Sequence, residues 1–218
     1  MATFGDARET WNARYACDDY LFGEAPNAFV ERSAPRWLRQ GDSALCVADG
    51  EGRNSVWLAG RGVRVVAFDV SDVAVAKAHR LAASRGVSVD SRVCDLAAFP
   101  FESTQVDAVV AVFIQFLGPD ERGAAFARMM ASVRPGGCFL LEGYRPEQIA
   151  YRSGGPGAVE NYYTRAWVER TFAGWELCLL AEYDAVLSEG RQHTGRSALI
   201  DVVARRPGGT GVAGARLG

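Results

Sequence analysis

The chain has 218 residues, 49% of them hydrophobic and 23% charged, with a formal net charge of −2. That balance excludes a disordered or fibrous chain and suits one ordinary globular domain with a large core. A charge so close to zero gives no electrostatic push toward nucleic acid or an anionic membrane surface.

The N-terminus shows no basic segment followed by an apolar one, and no apolar run approaches the ~18 residues of a membrane span. Residues 43–48 are a short apolar run that ends in the turn Asp49-Gly50-Glu51-Gly52-Arg53-Asn54, and a helical pattern follows over Ser55 to Ala59. Residues 64–69 are β-branched and aromatic. Ser71 is a good helix N-cap, Ala74, Ala78 and Leu81 keep helical spacing, and Gly86 stands where a glycine would end that helix. Ser88 to Cys94 is a third strand-like run, and residues 106–113 a fourth, almost continuously apolar. Pro119-Asp120-Glu121 opens a second long helix whose apolar stripe is Phe126, Met129, Met130 and Val133. Residues 138–142 follow a Pro-Gly-Gly turn. Residues 175–187 and 197–204 read as two strands joined by a polar turn, Ser188 to Arg196, and Pro207 to Gly218 as a mobile tail.

Unbroken apolar strands alternating with helices predict a doubly wound, mostly parallel sheet, closed by a C-terminal antiparallel hairpin. Cys17, Cys46, Cys94, Cys138 and Cys178 are scattered and form no Cys-x-x-Cys pair. The expectation is no metal site and a reducing, cytoplasmic setting.

Three strand tips carry the chemistry. The glycine turn lets a ligand approach the backbone, and the helix after it offers free N–H groups; such a turn also arises for purely structural reasons. Asp69, 17 residues after Gly52, ends the second strand, where a carboxylate can accept both hydrogen bonds of a ribose diol. Asp95-Leu96 ends the third, where an acid can meet an adenine amino group or simply be solvated. Ligands of open α/β sheets bind at the carboxyl ends of such strands.

This combination resembles the class I S-adenosylmethionine-dependent methyltransferases, over roughly residues 10 to 205. The resemblance rests on the glycine turn, Val66-Ala67-Phe68-Asp69-Val70-Ser71, Asp95-Leu96, the strand Val106 to Phe113, and Arg134-Pro135-Gly136-Gly137. Within that family the chain is similar to the small bacterial group related to tellurite-resistance and thiopurine methyltransferases. Trp11-Asn12-Ala13-Arg14-Tyr15, Tyr20-Leu21-Phe22-Gly23, Pro26-Asn27 and Gly190 to Arg196 carry that likeness. It departs from the family at Cys46, where an acid is usual, and at Ala48, where the first glycine is usual.

The resemblance implies a seven-stranded Rossmann-like fold, a single domain over residues 1–206 with an N-terminal cover to about residue 40, and S-adenosylmethionine as cofactor. It places the cofactor on Tyr20, Asp49, Gly50, Glu51, Gly52, Asn54, Asp69, Val70, Ser71, Asp95, Leu96 and Phe113. The acceptor is expected to be a small molecule, with a thiol or chalcogen compound as the candidate class, and no nucleic acid or membrane partner is expected. Gln115, Glu142, His193 and Arg196 are the catalytic candidates. Glu142 is read as a base or as a partner for Arg14 or Arg196, and His193 as a group that orients or deprotonates the acceptor. Tyr15, Tyr20 and Phe22 are read as a lid. Two alternatives stay open: a non-catalytic S-adenosylmethionine sensor or scaffold, and a nicotinamide-dependent oxidoreductase. Nothing in the sequence sets an oligomeric state.

Overall fold

The computed structural model describes residues 4–208. All seven strands of the described residues lie in one sheet: β1 (Ser43–Val47), β2 (Arg64–Asp69), β3 (Asp90–Val93), β4 (Val106–Val112), β5 (Val133–Tyr144), β6 (Glu176–Glu189) and β7 (His193–Arg205). Their order is β3-β2-β1-β4-β5-β7-β6. Strands β1 to β5 run parallel, and β7 runs antiparallel to both β5 and β6. The doubly wound sheet with a terminal hairpin is therefore as the sequence predicts. Beyond Gly208, the predicted tail lies outside the described residues.

Side chains alternate across the sheet, and both faces are covered. On one face Leu45, Val47, Val109, Ala111, Phe139 and Leu141 pack with Phe126 and Met129 of α5 (Pro119–Ala131) and with Val168 and Phe172. On the other, Ala44, Cys46, Ala108, Val110 and Leu140 pack with Phe29, Val30 and Ala34 of α2 (Ala28–Trp37) and with Leu58 of α3 (Arg53–Gly60). Cys46 thus fills a core position. Helix α4 (Asp72–Ser84) is capped by Ser71, whose hydroxyl accepts from the Ala74 N–H, and is followed by Gly86 at φ +66°. Helix α1 (Phe4–Tyr15) lies against the start of α4, where Arg8 and Asn12 bond Asp72 at 2.9 and 2.7 Å. None of the described helices is long and apolar enough to cross a membrane.

The hairpin differs from its sequence reading. The pairing of β6 with β7 continues to Glu189↔His193, so the tip is only Gly190-Arg191-Gln192. Polar residues at 188–189 and 193–196 hid these strand ends. The tip docks on the segment before α2: the Arg191 N–H donates to the Leu21 carbonyl at 2.8 Å.

The chain winds outward from β1 to β3, then returns to lay β4 on the other side of β1. That reversal opens a crevice at the carboxyl ends of β1 and β4, the switch point at which doubly wound sheets bind ligands.

Candidate active site

A cavity of about 1660 Å³ occupies this crevice. Pockets for one drug-sized ligand run to roughly 300–1,000 Å³, so this one has room for two. Its floor is the strand tips: Val47 to Gly50, Phe68 to Val70, Val93 to Leu96, and Val112-Phe113. Its roof includes Trp11, Arg14, Tyr15 and Phe22 from the N-terminal segment, and Gln192-His193 from the hairpin. A shallower hollow of about 640 Å³ lies at the opposite sheet edge, around Gly136, Trp175 and Arg205, away from these groups.

The glycine turn is wound tightly. Gly50 and Gly52 have φ of +59° and +88°, and Ala48 has +48°. Ala48, where the resemblance leads one to expect glycine, therefore holds a glycine-like conformation at some cost in strain. A Cβ on Gly50 would come within 2.8 Å of the Tyr15 hydroxyl, so α1 closes directly on the turn.

Asp69 sits at the β2 tip with one oxygen accepting the Gly50 N–H and the other the Ser71 N–H, both at 2.9 Å. Two backbone donors leave the carboxylate further acceptor sites for a ligand. Burial raises its pKa, which those N–H groups oppose. Asp49 is half-buried at the wall and takes a hydrogen bond from the Ser55 hydroxyl. Burial, with Asp69 beside it, pushes the Asp49 pKa up to about 7. Asp95 caps its own turn through the Ala97 N–H at 2.6 Å, and Leu96 and Val70 line the cavity beside it. Val93 and Phe116 leave 44% and 45% of their surface open, and both line the cavity. Apolar surface left uncovered in a pocket suits a ligand.

The other half of the cavity is aromatic. Phe113 follows directly on β4 at φ +55°, a strained conformation for a bulky residue. Its ring stacks on Tyr144 at 4.7 Å and meets His193 edge-on at 4.3 Å; Phe22 packs on His193 at 4.5 Å. The Tyr144 hydroxyl, Asn161 Oδ1 and His193 Nδ1 are buried with no hydrogen-bond partner among the described residues. All three residues line this half. Burial lowers the His193 pKa; Glu189 opposes that shift, while Arg53 and Arg14 add to it.

Several residues assigned to the site from sequence stand elsewhere. Glu51 turns away from the cavity: its carboxylate binds Lys77 at 2.6 Å and the Leu21 N–H at 2.7 Å, with both side chains only 2% exposed. Tyr20 donates to the Lys77 carbonyl at 3.1 Å rather than closing over a ligand. Gly52 serves helix packing, since a Cβ there would meet the Ala78 Cβ at 2.6 Å. Ser71 caps α4 and donates to Asn12 at 2.6 Å. Glu142 is buried on the α2 face, with Asn27, Tyr183 and its strand partner Asp201 as neighbours, not Arg14 or Arg196. Arg196 is exposed and bound to Asp184 at 3.0 Å. Strand parity explains it: residues 193 and 196, three apart on β7, point to opposite faces.

Gln115 and Asn54 line the cavity with their amides already engaged. Gln115 donates to the carbonyls of Tyr144 and Asn161 at 2.9 and 3.1 Å and accepts the Tyr144 N–H. Asn54 accepts the Asn27 N–H at 2.9 Å, and Asn27 in turn caps α2. Glu189 was missed. It flanks the hairpin tip opposite His193, and the acid beside a Gly-x-x-His turn is the signal by which the sequence could have shown it.

Comparison with known proteins agrees with this geometry. Residues 44–137, from β1 into the Pro-Gly-Gly turn of β5, match the family model described as a methyltransferase domain. No curated protein matches the chain. Among solved structures, the fold is similar to one reported for the conversion of a disulfide bond into a thioacetal group during echinomycin biosynthesis. That likeness has 18% identity, covers 93% of each chain and has a TM-score of 0.74. TehB from Haemophilus influenzae is 16% identical, covering 92% of this chain and 67% of that one at a TM-score of 0.68. The N-methyltransferase NodS from Bradyrhizobium japonicum, solved with S-adenosyl-L-homocysteine, is 15% identical over 92% and 98% at 0.66. Identities this low establish the fold. The family match supplies the class: residues 44–137 match a methyltransferase domain, and the cofactor is S-adenosylmethionine.

Proposed function

We propose that the chain transfers the methyl group of S-adenosylmethionine to a small uncharged acceptor held between Phe22, Phe113, Tyr144 and His193. The observation that carries this reading is one cavity with two unlike halves, one polar at the strand tips and one aromatic under the hairpin. In the first half Asp69 takes the ribose diol, Asp95 and Leu96 face the base, and Asp49 and Gly50 meet the methionine end. The cofactor supplies an electrophilic methyl group on a cationic sulfur that leaves with the bonding pair. The protein's share is to align the acceptor and exclude water. The N-terminal segment to about residue 40 acts as the cover, through α1 on the glycine turn and Phe22 on His193.

Two cations stand near the acceptor half, Arg14 on the roof, over the Trp11 ring at 4.5 Å, and Arg53. Arg53, the fixed cation beside His193, is neutralised by Glu189 at 2.8 Å. A neutral compound with an apolar body and one or two polar atoms fits these walls. A thiol or related chalcogen compound is the first candidate, since a soft nucleophile needs few polar contacts; the thioacetal chemistry reported for the similar structure supports it. Incubation with S-adenosylmethionine and a panel of thiols and small phenols, with tellurite and selenols run separately as charged comparisons, read by mass spectrometry, tests this. Methylation of a member of the panel is expected. Methylation of a protein or RNA in preference to all of them would overturn the small-molecule reading.

A further inference from the structure

The tip of the β6–β7 hairpin places two titratable groups together beside the aromatic half of the cavity. Glu189 and His193 are cross-strand partners, and His193 Nδ1 lies 3.9 Å from Glu189 Oε2. That separation is too long for a hydrogen bond as it stands, and Nδ1 is buried with no other partner among the described residues.

Glu189 is held from three sides. Arg53 on α3 binds Oε2 at 2.8 Å, the Ala28 N–H at the start of α2 donates to Oε1 at 3.1 Å, and the Asn27 amide lies at 3.2 Å. Burial by itself would raise the Glu189 pKa, but His193, Arg53 and the Ala28 N–H together draw it down to about 2. The carboxylate is therefore a fixed anion on one side of the imidazole.

A neutral imidazole beside a fixed anion has one favourable tautomer. With the proton on Nδ1, an N–H points at the carboxylate. With the proton on Nε2, a lone pair on Nδ1 faces it and is repelled. The charged groups that face His193 are Glu189 on β6, Arg53 on α3 and Arg14 on α1. The two arginines and burial favour the neutral ring, and the glutamate 3.9 Å from Nδ1 favours the Nδ1–H tautomer. The favoured form leaves the lone pair on Nε2, the ring nitrogen away from Glu189, in a ring that lines the cavity.

We propose, resting on the reading of this cavity as a methyl-transfer site, that Glu189 is a positioning residue. It holds His193 as the base for a protic acceptor, so the substrate class is a neutral thiol or hydroxyl that keeps its proton at neutral pH. The acceptor X–H bond breaks and its proton passes to Nε2, giving an imidazolium whose Nδ1–H faces Glu189. The electron pair left on X forms the new bond to the methyl carbon, and the sulfur of the cofactor departs with the pair of the bond that breaks. An alkyl thiol, with a pKa near 8.5, is mostly protonated at pH 7 and gains from such a base.

The chain has two histidines, His79 and His193, and His79 is exposed on α4. Nitrogen-15 NMR of untagged protein labelled at histidine therefore reads His193 directly, with and without S-adenosylhomocysteine, and His79 is the internal reference. The expected result at pH 7 is a neutral His193 with its proton on Nδ1. In Glu189→Gln, whose amide can present an N–H to Nδ1, the proton is expected to shift toward Nε2. Glu189→Asp, which keeps the charge, is expected to stay closer to wild type, and His79 to be unchanged in all. A wild-type Nε2–H tautomer, or a Glu189→Gln variant with unaltered His193 shifts, overturns the proposal even where S-adenosylhomocysteine binds. Failure of S-adenosylhomocysteine to bind overturns the methyl-transfer reading and the acceptor class with it, whatever the tautomer.

Discussion

Replacing Gly190 by alanine puts a methyl group where the hairpin tip meets the N-terminal segment. The new Cβ would lie 2.4 Å from the Phe22 carbonyl carbon and 2.5 Å from both Gly23 N and Leu21 O. These are backbone atoms, so neither side can yield by a rotamer change. Gly190 also has φ +65°. The conformational part of the cost is about 1–2 kcal/mol and the overpacking part about 1–3 kcal/mol. Gly86 separates the two, because its φ is +66° and nothing lies within 4 Å of its Cβ position. Gly86→Ala carries only the conformational cost. Gly190→Ala is thus expected to be less stable than Gly86→Ala by about 1–3 kcal/mol, or about 2–12 °C in Tm for a chain of this size. Parallel urea and thermal denaturation followed by circular dichroism measures the gap. Equal losses in the two variants would refute the docking of the tip on residues 21–23.

Three further outcomes follow from the same geometry. Lys77→Met strands the Glu51 carboxylate in the core and is expected to cost about 3–5 kcal/mol in urea denaturation, with much of it recovered when Glu51→Gln is added. Asp49→Asn tests the raised pKa. Native Asp49 takes a proton at about pH 7, against an ordinary value of 3.8, so its stabilising share is complete at low pH and is lost as pH rises to 7. The asparagine variant should therefore gain on wild type by on the order of 1 kcal/mol per pH unit between pH 5 and 7. A constant difference in stability across that range would contradict it. Asp69→Asn is expected to weaken S-adenosylhomocysteine binding about 10- to 100-fold, the value of charge-assisted hydrogen bonds of about 1.5–3 kcal/mol, read by calorimetry.

What was legible in the sequence follows the range of the interactions involved. The strands of the parallel sheet are continuous apolar runs, and the acids at their tips stand next to them in the chain, so Asp49, Asp69 and Asp95 could be placed at one edge. The terminal hairpin was legible, its length was not, because its last pairs are polar residues held by docking onto the N-terminal segment. That error hid the parity of β7, and with it the divergence of His193 and Arg196. Glu51 was read as a ligand because nothing local announces its pairing with Lys77, 26 residues on and inside another helix. Glu142 looked available at a strand end, yet it faces Asn27, whose position depends on how α2 packs. Ala48 shows the reverse case: the departure from glycine is plain in the sequence, and the backbone keeps the glycine conformation regardless.

Isothermal titration of the purified chain with S-adenosylhomocysteine, alongside NAD, tests the central claim most directly. One molecule of S-adenosylhomocysteine per chain is expected to bind, weakened by Asp69→Asn, with NAD giving no comparable heat. No binding of S-adenosylhomocysteine, or tighter binding of NAD, would contradict the assignment of the crevice between β1 and β4 to S-adenosylmethionine.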